Sequence, residues 1–134
     1  MSEILNKNIY ITTPIYYVNG EPHIGHFYTT LACDVLVRLY QNAGCDVRYL
    51  TGTDEHGQKV QQSVEKNGVS PKEFCDKVSA KFKQMMIDFD LIQSHNNFNN
   101  NSSWIRTTDE KHVKFIQEVW IRLEQNGWIY KGKY

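Results

Sequence analysis

The stretch Thr13–Thr30, TPIYYVNGEPHIGHFYTT, lies where a strand hands over to a helix. Upstream, residues 8–13 (NIYITT) alternate and are rich in β-branched and aromatic types, a strand pattern that Pro14 ends by removing a ladder donor. Asn19-Gly20 then marks a turn. Between Gly25 and Ala43, Phe27, Tyr28, Leu31, Val35, Leu36 and Leu39 recur at three- and four-residue spacing, the stripe of an amphipathic helix that Gly44 stops. A second strand candidate, Asp46–Gly52 (DVRYLTG), runs into the polar segment TDEHG. Strand, helix, strand with a connection of helix length makes a parallel unit with a right-handed crossover. The expected fold is therefore α/β with an open parallel sheet. Loops leaving the carboxyl ends of such strands share one edge, where ligands bind. The PIYYVNGEPHIGH and TDEHG loops should meet there.

The rest of the chain reads mostly as helix. A short helix is predicted from about Gln58 to Asn67, ended by Gly68. A better-signed one begins at Ser70-Pro71-Lys72-Glu73, which combines an N-cap serine, a first-turn proline and a capping-box glutamate. Its stripe of Phe74, Val78, Phe82, Met85 and Phe89 is read as core. Asn96–Trp104 is asparagine-rich and predicts a solvated loop. A last helix is expected over Thr108–Asn126, with Val113, Ile116, Trp120 and Leu123 on one side and Gly127 as its stop, followed by a strand candidate in WIYKGKY.

Composition sets the outer bounds. The 134 residues suit one domain with a core of its own, and 40% hydrophobic with 22% charged residues is ordinary for a globular chain. Fifteen basic residues balance fifteen acidic ones, so any contact with a polynucleotide must be local. Cys33, Cys45 and Cys75 are widely spaced, form no C-x-x-C pair and read as reduced thiols. Residues 1–12 lack the pattern of a secretory leader and no apolar run reaches the length of a membrane span. A cytoplasmic location without membrane contact is the expectation.

His23, Ile24, Gly25 and His26 occupy the first turn of the long helix, where unpaired backbone N–H groups and the positive dipole end favour an anion. Imidazoles at i and i+3 share a face and can donate to the same phosphate group. Gly25 between them lets a flat ring or a backbone approach. The set suits stabilisation of charge developing on a phosphate in nucleotidyl transfer, where positioning and electrostatics dominate. Two other readings stay open: half of a metal site completed by Asp54 and His56, or ordinary surface polarity. Neither G-x-x-x-x-G-K-[ST] nor G-x-G-x-x-G occurs.

PHIGH, preceded by TTPIYYVNGE and followed by LTGTDEHGQKV, resembles the amino-terminal part of the methionyl-tRNA synthetases, class I aminoacyl-tRNA synthetases whose first signature is the tetrapeptide HIGH. The likeness runs from about residue 8 to 90 and resumes at WIRTTDEKH. It implies a Rossmann-like parallel sheet of the HUP type, of which residues 1–134 form the first half, ending near the start of the connective insertion. By that resemblance His23 and His26 contact the ATP phosphates in the transition state, with Gly25 near adenine. Asp54 holds the α-ammonium of L-methionine, aided by the backbone around Pro14 and Ile15, and Tyr17 helps wall the side-chain pocket. The role of His56 stays undecided between structural and functional.

The resemblance implies a methionine–tRNA ligase that activates methionine with ATP and esterifies tRNA(Met). Mg2+ is expected with the ATP, no protein-held metal is expected among these residues, and structural zinc belongs only to the connective domain. No lysine loop of the KMSKS type occurs in the sequence. The isolated chain is accordingly expected to be inactive and to self-associate through an open sheet edge. A non-catalytic nucleotide-binding or interaction module derived from the same fold is the alternative.

Overall fold

The computed structural model describes residues 7–91 and 102–133. In chain order the elements are β1 (Asn8–Thr12), β2 (Tyr16–Tyr17), α1 (Ile24–Asn42), β3 (Asp46–Asp54), α2 (Gln58–Asn67), α3 (Pro71–Asp88), β4 (Ser102–Arg106) and α4 (Glu110–Gln125). All strands pair in parallel with β3, which is the centre of the sheet. Leu50 stands opposite Thr12 and Ser103, and Thr53 opposite Tyr16 and Arg106, so β4 takes one flank of β3 and β1 followed by β2 takes the other. Every carboxyl end therefore points to the same edge. The two loops read from the sequence meet there, and the Thr107–Asp109 turn after β4 joins them as a third.

Burial along β3 explains its central place. Val47 and Tyr49 are buried while Asp46 and Arg48 are exposed, the alternation of a strand with one covered face. From Thr51 to Thr53 burial is continuous, because the sheet is covered on both faces near its carboxyl edge. Val37, Cys45, Val47, Tyr49, Met86 and Leu91 form one core cluster, and Tyr16, Val18, Val60, Cys75, Val78 and Phe82 a second. Phe82 is fully buried, worth roughly 1.5–3 kcal/mol of transfer free energy. Gly52 has no room for a side chain, since a Cβ there would stand 1.9 Å from the carbonyl oxygen of Ile105 on β4.

Helix boundaries follow their local signals. Ser70 Oγ accepts from the N–H of Glu73 at 3.2 Å, with Pro71 in the first turn, and Gly68 closes α2 in the left-handed region at φ 64°. The buried faces of the helices do not all follow their apolar stripes. Most of the α1 stripe faces outward, with Tyr28 71%, Val35 56% and Leu39 58% exposed, while Phe27 packs against the first core cluster and Thr30, Asp34 and Val37 turn inward. Asp34 is held there by Arg38 Nε at 2.7 Å. Helix α4 buries no residue, so its Val113, Ile116, Trp120 and Leu123 side also lies open. In α3, Val78 and Phe82 are core but Phe89 is 60% exposed and leans on Phe27 with ring centroids 4.6 Å apart.

Strand readings need correction at three places. β2 is a pair of residues after Pro14, too short for a pattern to show. Ser102, Ser103 and Trp104, expected in a loop, begin β4, while the earlier part of that asparagine-rich loop lies outside the described residues. Residues 128–133, expected as a strand, are neither helix nor strand, with Trp128 and Tyr130 more than three-quarters exposed. Among the described residues no helix is long and apolar enough to cross a membrane.

Candidate active site

Helix α1 opens on a cap made by its own histidines. His23 is the N-cap residue, with extended backbone, and its Nδ1 accepts from the N–H of Gly25 at 3.1 Å. His26 Nδ1 reaches back to accept from the N–H of His23 at 3.2 Å. Both rings thus satisfy helix-start donors that would otherwise have no partner. The rings stack with centroids 3.8 Å apart and planes 28° from parallel. A nitrogen that accepts cannot carry the proton of a neutral imidazole, so in each ring the proton belongs on Nε2. The turn therefore presents paired Nε2–H donors at the positive end of a helix 19 residues long.

Burial, and secondly the nearby His23, lower the pKa of His26 below the ordinary imidazole value, which favours the neutral donor form. Gly25 is required by the cap. A Cβ there would stand 3.0 Å from His23 Cε1 and 3.2 Å from Nδ1, tight enough to push the ring off its backbone partner. The missing Cβ leaves space for the His23 ring.

Behind the pair stands Tyr16, which sequence reasoning passed over in favour of Tyr17. Its ring lies edge-on to His26 at 4.9 Å and stacks on Phe82 at 5.3 Å, and Phe82 also meets His26 edge-on at 4.9 Å. The Tyr16 hydroxyl shares a hydrogen bond of 2.8 Å with Thr30 Oγ1, which donates to the His26 carbonyl at 2.9 Å. Tyr16 is 5% exposed and Tyr17 58%, as expected of successive strand residues facing opposite ways. That period was the available signal.

Asp54 ends β3 directly opposite Tyr17 in the register, and its carbonyl accepts from the N–H of Val18 at 3.3 Å. Pro14 and Ile15 bridge β1 and β2 on the same flank, both solvent-facing, with Ile15 39% exposed. His23, Gly25 and His26 follow at the start of α1, so the residues singled out share the carboxyl edge. His56 is exposed, and its Nε2 lies 3.3 Å from the carbonyl oxygen of Thr107. Among the described residues no group of three or more His, Cys, Asp or Glu side chains could hold a metal ion.

The most densely bonded group at this edge was not foreseen. Glu55 has no exposed side-chain surface, and its Oε1 accepts from Thr53 Oγ1 at 2.9 Å and Arg106 Nε at 2.7 Å, while Oε2 accepts from Thr108 Oγ1. Its own N–H donates to Thr107 Oγ1 at 2.9 Å. Arg106 Nη1 also pairs with Asp76 on α3 at 2.6 Å. Hydrogen bonds to Glu55 and Asp76 raise the Arg106 pKa, and those from Lys72 and Arg106 lower that of Asp76.

An open parallel sheet of this topology, with the start of α1 and the Asp54 carboxylate at its carboxyl edge, defines a Rossmann-like α/β unit. Residues 9–134 match the family model for class I (M) tRNA synthetases, and the chain belongs to that family. It is 49% identical over 93% of its length to the methionine–tRNA ligase of Thermotoga maritima, of which it covers 19%, and 44% identical over 97% to that of Rickettsia conorii, of which it covers 24%. Among solved structures, Mycobacterium tuberculosis methionyl-tRNA synthetase in complex with methionyl-adenylate is similar with a TM-score of 0.81 and 37% identity, over 90% of this chain and 22% of that one. The chain thus spans between about a fifth and a quarter of the length of these relatives.

Proposed function

We propose that residues 1–134 form the amino-terminal half of the catalytic domain of a methionine–tRNA ligase, which activates L-methionine with ATP and passes the methionyl group to tRNA(Met). The observation that carries this reading is the stacked pair His23 and His26, each held by a backbone N–H as an Nε2–H donor at a helix start. A pentavalent phosphate gathers charge on its equatorial oxygens, and fixed donors at that place stabilise it without reorganising. Asp54, opposite Tyr17 on the same edge, supplies the carboxylate for the substrate ammonium. Ile15 and Tyr17 give backbone and ring on that side, and Mg2+ travels with the ATP rather than in a site of its own. The compartment proposed is the cytoplasm, in keeping with the free thiols of Cys33, Cys45 and Cys75.

The test is methionine-dependent exchange of pyrophosphate into ATP by the protein expressed at the full length its gene encodes. Exchange is expected in the wild type, and His23→Ala should lower its rate by about 10²–10³-fold, the effect of losing one such donor. Undiminished exchange in His23→Ala would remove the histidines from the transition state.

A further inference from the structure

The adjacent carboxylates Asp54 and Glu55 are treated oppositely by the fold. Asp54 is half-exposed at the end of β3, whereas Glu55 is turned inward. An ionised carboxylate buried without partners is strongly disfavoured, and Glu55 instead has donors from its own strand, from the end of β4 and from the turn after it. Arg106 is a fork rather than a point charge, and it uses separate nitrogens on Glu55 and Asp76, which ties the β4 end to α3 as well. The neighbouring backbone is fixed by the same contacts. The N–H of Thr107 donates to the Thr53 carbonyl at 3.2 Å, the N–H of Glu55 to Thr107 Oγ1, and His56 sits against the Thr107 carbonyl.

Resting on the ligase reading above, we propose that Glu55 is a positioning residue: clamped by Arg106 and Thr108, it holds the turn that aims the Asp54 carboxylate at the ammonium of methionine. The charge balance is part of the effect. With Arg106 paired to Glu55, Asp54 is the half-exposed carboxylate of the two, its Oδ1 accepting from the N–H of His56 at 3.4 Å. The turn after β4 then belongs to the amino-acid side of the site, acting through Asp54.

Steady-state exchange kinetics of the full-length protein separate this from a merely structural role. Glu55→Gln keeps the shape but removes the charge that gathers Arg106. It should raise the methionine KM by about tenfold, as an anchor displaced by a fraction of an ångström loses alignment, and leave the ATP KM unaltered. If Glu55 acts through Asp54, the double variant with Asp54→Asn should be no worse for methionine than Asp54→Asn alone. Should Glu55→Gln fold poorly, Arg106→Lys replaces it, since an ammonium cannot serve Glu55 and Asp76 as the fork does. A raised methionine KM in Asp54→Asn with an unchanged one in Glu55→Gln overturns the positioning role and leaves the ligase reading standing. Equal rises in both KM values, or additive losses in the double variant, overturn it as well. No effect of Asp54→Asn removes the anchor itself, and the positioning role falls with it.

Discussion

The histidine turn of α1 and the knot around Glu55 stand at the same sheet edge, but they are assembled differently. His23, Gly25 and His26 build their cap from neighbours in sequence, with each ring bonded to a backbone N–H at most three residues away. The knot joins Thr53, Glu55, Asp76, Arg106 and Thr108, with the Glu55–Thr108 bond spanning 53 positions of sequence. A local device can be exposed and still well defined, because the helix start supplies the frame. A carboxylate drawn from separate elements must be buried and fully bonded before its position is fixed. The first suits groups that meet a ligand, the second groups that hold the scaffold beneath them.

That contrast predicts a difference in stability. Arg106→Ala would strand the buried Glu55 carboxylate, and loss of such a pair costs about 3–5 kcal/mol. Because Arg106 keeps 21% of its side-chain surface exposed, the lower end is expected, near 3 kcal/mol in urea unfolding of the 134-residue protein. A loss below about 0.5 kcal/mol, the level of an ordinary surface change, would show that the knot does not hold the edge.

The smaller effect belongs to the cap. His23→Ala removes an N-cap acceptor and should cost only about 1 kcal/mol in the same unfolding experiment, despite its large expected effect on exchange. Acid should act on the same contact. The folded His26 pKa is lowered, so below about 6.5 the unfolded chain binds the proton more readily than the folded one. The cap's stabilisation is therefore present above that pH and is lost as pH falls through the lowered value. The Tm should fall between pH 7.5 and 5.5, and by less in His26→Gln, whose amide oxygen can accept from the His23 N–H without titrating. An equal fall in both proteins would place the acid sensitivity elsewhere.

How far each region could be read in advance follows from the same difference. The first strand, the N-cap serine of α3, the stop at Gly68 and the histidine turn are written in neighbouring residues, and the structure has them where the sequence placed them. Periodicity showed that α1 and α4 are two-sided but not which side meets the sheet. In α1 the inward face is Thr30, Asp34 and Val37, less apolar than the stripe left outside. The resemblance singles out Asp54 as the ammonium anchor, yet nothing in TDEHG names Arg106 as the partner of its neighbour. The period of β3 held the clue, since Val47, Tyr49, Thr51 and Thr53 are all buried and the next odd position is Glu55.

The account rests most directly on the proton of each imidazole in the turn. Long-range proton–nitrogen correlation spectra of the 134-residue protein at pH 7.5 read that state for His23 and His26 separately. The backbone bonds to both Nδ1 atoms predict neutral rings with the proton on Nε2 in each of the two stacked rings. A proton on Nδ1 of either ring, or an imidazolium at His26 at that pH, would contradict the cap and with it the donor pair on which the proposed chemistry depends.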